Sequence, residues 1–181
     1  MRKILLVPIV LAALSGCATV TLPQAAASGT TLDIYVNNDA SGFVTGRHAG
    51  VTAYDDANCG NPVVIAKKAF INPQDTLDKT PIPAGKPLTL SFHTTQSQYA
   101  LMGTCSVTAT FTPQPNQAYR ALLALHYDQQ TCELQIADQN DLAVALQKPV
   151  YSCFKNSAGI GRNGQALRQE FKVNLITLPA K

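Results

Sequence analysis

The chain has no tryptophan and only two methionines, and its charged residues make up 14% of the 181. Without tryptophan there is no residue to fill the core position that marks a true immunoglobulin domain. No basic patch and no run of Lys and Arg interleaved with aromatics occurs, so nucleic acid is not an expected partner. The apolar run from Ile4 to Leu14 is too short to span a bilayer as a stable helix.

Several chemical signatures are also missing. No C-x-x-C occurs, so redox catalysis has no motif, and no two cysteines sit at the spacing a structural zinc site uses. His48, His93 and His126 form neither H-x-x-H nor H-E-x-x-H, and no serine lies in G-x-S-x-G. Asp55 and Asp56, like Asp39 among Asn37, Asn38 and Ser41, supply oxygens of the type calcium uses. They lack the D-x-D-x-D-G order and suit turns equally well. The only glutamates are Glu133 and Glu170, a thin supply for paired-carboxylate hydrolysis. No metal and no cofactor is expected.

The N-terminus is more informative. Arg2 and Lys3 precede the apolar run, the pattern of a secretory signal. The run ends in Leu14-Ser15-Gly16-Cys17, which resembles the lipobox of bacterial lipoproteins at all four positions. The resemblance implies cleavage before Cys17, diacylglycerol on its thiol and acylation (palmitate-type) of the new amino terminus. Two or three acyl chains give stable anchoring where one does not. Ala18, rather than Asp, after the cysteine implies the outer membrane, facing the periplasm.

Loss of residues 1–16 also removes Arg2 and Lys3. The 14 Lys and Arg then become 12 against 11 acidic residues, a formal charge of +1. Four cysteines remain: Cys59, Cys105, Cys132 and Cys153. In an oxidising compartment an even set reads as two disulfides. Sequence leaves three pairings open, of which Cys105 with Cys132 and Cys59 with Cys153 is the expectation.

Residues 17–30 are small, polar and uncharged, and are expected to be a flexible tether. A single domain is expected over residues 31–181, where the apolar period is mostly two. Strand candidates are 31–36, 50–56 and 63–70, the last with a helical alternative. The clearest alternation is Leu88, Leu90, Phe92 against Thr89, Ser91, His93. Residues 105–136 read as a three-stranded antiparallel meander, with Cys105 and Cys132 both pointing to the core. Residues 141–150 suit a helical turn or two, 155–164 a glycine-rich loop, 166–171 a brief helical turn and 171–178 a closing strand. Together these give an all-β, antiparallel β-sandwich (immunoglobulin-like or related) with little helix and two disulfides.

Gly159 to Gly164 spell G-x-G-x-x-G. The motif needs a strand before it, a helix after it and an acidic residue about 20 positions on. Here it lies within a loop and no acidic residue stands at that distance, so the stretch is read as an exposed loop with Arg162 and Asn163 as a binding element. The grammar IPAGKPLTLSF…C…FTPQPNQAYRA…C resembles small uncharacterised lipoproteins of Gram-negative envelopes. The expectation is a lipid-anchored, non-enzymatic binding or accessory lipoprotein of the cell envelope, with an envelope protein or glycan as partner. The alternatives are an envelope hydrolase using a histidine and a purely structural surface lipoprotein.

Overall fold

The fold is that of a computed structural model, which describes residues 22, 25–38, 46–70, 72, 74–98, 101–126, 129, 131–147, 152–156 and 159–163. Cys17 and the elements expected at 1–16 and 164–181 lie outside the described residues. Ten strands are described: β1 (Thr31–Asn38), β2 (Gly46–Tyr54), β3 (Val63–Phe70), β4 (Gln74–Pro81), β5 (Leu88–Gln98), β6 (Leu101–Phe111), β7 (Ala118–His126), β8 (Thr131–Ala137), β9 (Ser152–Asn156) and β10 (Gly159–Asn163). One sheet has the order β4-β1-β7-β8, a second β3-β2-β5-β6, and β9 and β10 form a separate hairpin. Among the described residues the helical content is one 3-10 turn, Ala26–Ser28.

Period two builds both inner faces. Leu32, Ile34 and Val36 of β1 and Tyr119, Ala121 and Leu123 of β7 face Leu88, Leu90 and Phe92 of β5 and Val107, Ala109 and Phe111 of β6 in one buried cluster. Large residues meet small ones in register: Leu90 lies opposite Ala109, and Phe92 opposite Val107. Such interdigitation fills a sandwich core without voids. The sandwich is therefore all-β as expected.

Four local expectations are corrected. β6 and β7 do not pair: β6 pairs with β5, and β7 with β1 and β8, so residues 105–136 are not one meander. The link at 112–117 contains Pro113 and Pro115, and carries the chain from one sheet to the other. Phe111 and Tyr119 meet edge-to-face across it at 5.4 Å. β1 and β7 run parallel, so the first sheet is mixed rather than purely antiparallel. Residues 143–147 are not helical; Ala143 bridges to Ala137 of β8 and Gln147 to Thr110 of β6, closing one seam between the sheets. Residues 159–163 are a strand paired to β9 rather than a loop.

β4 is an element that sequence reading passed over. The opposite seam joins β3 to β4: Lys68 Nζ donates to Asp75 Oδ1 at 2.6 Å, and Thr80 Oγ1 to the Ile65 carbonyl at 3.2 Å. The Lys68 ammonium holds the Asp75 carboxyl below its ordinary range.

The tether expected through residue 30 is shortened. Leu22 and Ala25 are buried in the main cluster, and Thr30 is fully buried. Ser28 Oγ shares its one proton between the carbonyls of Ala25 and Ile82, and Thr30 Oγ1 between those of Ser28 and Gln114. Gly29 sits at φ +63° between them, where any Cβ would collide with the Asn116 side chain. A small, uncharged composition does not forbid order when its few apolar side chains find a core. These bonds fix the chain entry to one end of the sandwich, termed here the near end, where the links 82–87 and 112–117 also lie. β1 starts there and runs toward the far end.

Candidate functional site

The alternation that sends Leu88, Leu90 and Phe92 inward sends Thr89, Ser91 and His93 to the outer face of the second sheet. Their cross-strand partners on β6 are Thr110, Thr108 and Ser106. Thr89 and Thr110 hydroxyls bond at 2.8 Å. Thr52, Thr89, Ser91, Thr108 and Thr110 are all buried, which is unusual for a row of hydroxyls on an outer face.

The cover over part of this face is β9. Cys153 N–H donates to Thr108 Oγ1 at 3.3 Å, Thr108 Oγ1 donates to Ser91 Oγ at 3.2 Å, and Ser91 Oγ donates to the Cys153 carbonyl at 2.7 Å. The three bonds close a ring in which two side chains satisfy both polar groups of one residue. Because the single Ser91 proton goes to the carbonyl, Ser106 is the donor in its 3.3 Å contact with Ser91.

Cys153 is also covalently fixed, to Cys59, with Cα atoms 5.5 Å apart. Tyr54 joins these two cysteines in a second small buried cluster, and burial raises its phenol pKa, partly opposed by a hydrogen bond with Thr52. Cys59 is presented by the loop after β2. Asp56 Oδ1 accepts from Asn58 and Gly60 N–H, and Asp55 Oδ2 from the Asn61 amide. Asp55 and Asp56, two of the three carboxylates of the type calcium uses, thus bond within their own turn, and Asp39 lies outside the described residues. The second disulfide joins Cys105 of β6 to Cys132 of β8, tying the two sheets together, with Cα atoms 6.4 Å apart.

Beyond β9, toward the far end, the face carries His93, His48 and Lys67. His93 lies opposite Gly50, and Lys67 flanks Gly50 on the other side. A Cβ on Gly50 would stand 2.6 Å from His93 Nε2, so the glycine is what makes room for the ring. His48 is exposed on the same face, opposite Thr95. His126 lies on the other sheet, opposite Thr131, so the three histidines do not converge. Ser106 stands opposite His93, but β2, β3, β5 and β6 contain no Asp or Glu. No strand of this sheet offers the acid that orients a catalytic imidazole. Among the described residues no group of three or more His, Cys, Asp or Glu is placed to hold a metal.

Burial, with the Lys67 charge as a smaller cause, lowers the His93 pKa from 6.5. The unfolded chain therefore binds this proton more readily than the folded one. Stability falls as pH drops through 6.5 toward the lower folded value, and is unaffected by this group above 6.5. Urea unfolding at pH 7 and pH 5 is expected to give a smaller loss in His93→Gln than in the parent. An equal loss in both would place the titration elsewhere.

Arg162 and Asn163 lie on β10, where Arg162 pairs with Cys153 and Asn163 with Ser152. They are thus part of a strand of the hairpin rather than a free loop. The buried Ser91–Thr108 ring and the Gly50–His93 contact were not foreseen from sequence. The available signal was that outward positions of β5 and β6 are hydroxyls rather than charges. Comparison with protein-family models, curated proteins and solved structures returns no match to this chain.

Proposed function

We propose that this protein is a lipid-anchored binding or accessory lipoprotein of the cell envelope, held through Cys17 at the outer membrane and facing the periplasm. Its partner is an envelope protein or glycan, bound without a cofactor or metal. The observation that carries the binding reading is the charge of the second sheet. Its four strands have no carboxylate, while His48, Lys67 and the half-buried His93 share its outer face with Ser106. The Lys67 ammonium, with imidazole and hydroxyl groups beside it on a disulfide-fastened face, suits an acidic or hydroxyl-rich ligand such as an envelope glycan. The missing orienting acid leaves the histidine hydrolase reading with less support.

Co-sedimentation with purified peptidoglycan tests the binding. The parent is expected to sediment with it, and Lys67→Glu to reduce the bound fraction. Equal sedimentation would remove this face from the reading. A hydrolase activity lost in His48→Ala or His93→Ala would overturn it. For the anchor, Cys17→Ser is expected to leave the membrane fraction or accumulate as precursor, while unchanged membrane-bound mature protein would refute the lipobox.

A further inference from the structure

We infer that the sandwich stands on its near end against the bilayer, with the far end turned away from it. The inference rests on the acylation of Cys17 proposed above and on one structural fact, the burial of Leu22 and Ala25 in the core. From Cys17 to Leu22 is five residue steps. At full extension they span at most ~18 Å, since a residue adds no more than about 3.6 Å. A free tether reaching Thr30 would have allowed ~47 Å on the same scale. The shorter limit leaves little room for the domain to turn over.

The end held close is defined by its bonds. Leu22 O accepts from Ala25 N, and Ser28 Oγ and Thr30 Oγ1 donate to Ile82 and Gln114 carbonyls respectively. Gly85 N–H donates to the Pro113 carbonyl at 2.8 Å, so the links 82–87 and 112–117 form one tied surface. Of the two exposed large apolar side chains among the described residues, Leu142 lies at this end and Val64 on the outer face nearby. Leu142 (65% exposed) follows the end of β8, and Val64 (41%) is the second residue of β3. An apolar group such as Leu142 on a membrane-facing end contacts lipid rather than water. The nine residues of β7 put the far end ~30 Å further out, at about 3.3 Å per residue. Asn38, Arg47 and Thr94, all buried and polar, lie toward that far end.

The absence of tryptophan makes the test direct. Gln114→Trp places a probe at the near end, and Gln129→Trp one at the far end, between β7 and β8. The acylated full-length protein is reconstituted into phosphatidylethanolamine/phosphatidylglycerol vesicles containing dansyl-labelled lipid, and energy transfer from tryptophan is read. Transfer from Gln114→Trp is expected to exceed that from Gln129→Trp by about threefold or more, given the ~30 Å between the ends and the steep fall of transfer with distance. A Gly/Ser insert of about a dozen residues between Ala18 and Thr19, adding on the order of 20 Å of reach, is expected to erase most of that difference. Vesicle-bound, acylated protein with equal transfer from both probes would overturn the orientation alone. A difference that survives the insert would overturn the short tether as its cause. An intact mass without acyl chains, and no flotation with vesicles, would overturn the anchor and the orientation together.

Discussion

Removing the Cys59–Cys153 crosslink, as Cys59→Ala/Cys153→Ala, is expected to lower the unfolding free energy by about 4.5 kcal/mol, against about 3.5 kcal/mol for Cys105→Ala/Cys132→Ala. The difference follows from loop length. The first bond spans 94 residues of sequence and the second 27, so the first restricts the unfolded chain more. Either loss is a large share of the roughly 5–15 kcal/mol that a domain of this kind has in total. The two variants should also differ in kind. Cys105–Cys132 joins the two main sheets, so its loss acts on the whole sandwich. Cys59–Cys153 fastens β9 to the outer face, and Cys153 keeps its bonds to Thr108 and Ser91 after the cysteines are gone. Urea unfolding with the slope left free checks both points. A larger midpoint shift in the Cys105/Cys132 variant, at unchanged slope, would reverse the ranking and show that strain or residual structure outweighs loop entropy here.

The parts of the fold that were legible in sequence are those whose signal is local. Leu88, Leu90 and Phe92 alternate with hydroxyls, and β5 lies there. Its extension to Gln98 was hidden because those added residues are polar. β4 shows only Leu77 and Thr80 buried, the sparse pattern of an edge strand, and period two cannot be recognised from so few positions. The parallel pairing of β1 with β7 joins residues some 87 positions apart, such as Thr31 and Ala118, and no local pattern encodes it. The error over 105–136 has a related origin. Val107, Ala109 and Phe111 do face the same core as Ala121 and Leu123, but from opposite sheets. Alternation reports which side of a strand is apolar, not which strand lies beside it.

The candidate site was partly legible for the same reason. His48 and His93 were visible as residues, whereas their common face depends on the β2–β5 register, which puts Gly50 opposite His93. The hydroxyl ring around Cys153 needs three segments of chain distant in sequence. The packing of Leu22 and Ala25 was masked by composition, because Leu-Pro-Gln-Ala-Ala-Ala-Ser-Gly has the makeup of a tether until a core accepts two of its side chains.

The two faces of β5 make a final contrast, in which adjacent residues fail for different reasons. Phe92 is fully buried, with Val51 and Val107 as its neighbours in register. Phe92→Ala is expected to destabilise by about 3–5 kcal/mol, because the lost transfer energy is joined by the cost of a cavity that the flanking strands cannot close. Phe92→Leu, which keeps most of the volume, should cost under ~1.5 kcal/mol. Ser91 stands one position earlier on the opposite face. Ser91→Ala leaves the Cys153 carbonyl without its hydroxyl donor and takes from Thr108 the oxygen it donates to. The expected loss is about 1–3 kcal/mol, set by desolvation of unpaired groups rather than by volume. Volume therefore rescues the inner position and not the outer one. Ser91→Thr, which is larger but keeps the hydroxyl, should lie nearer the parent than Ser91→Ala, while Ser91→Val should not. Chemical denaturation of the set decides it. If Ser91→Val is as stable as the parent, the ring of hydroxyls does not hold β9, and the disulfide alone keeps that strand on the sheet.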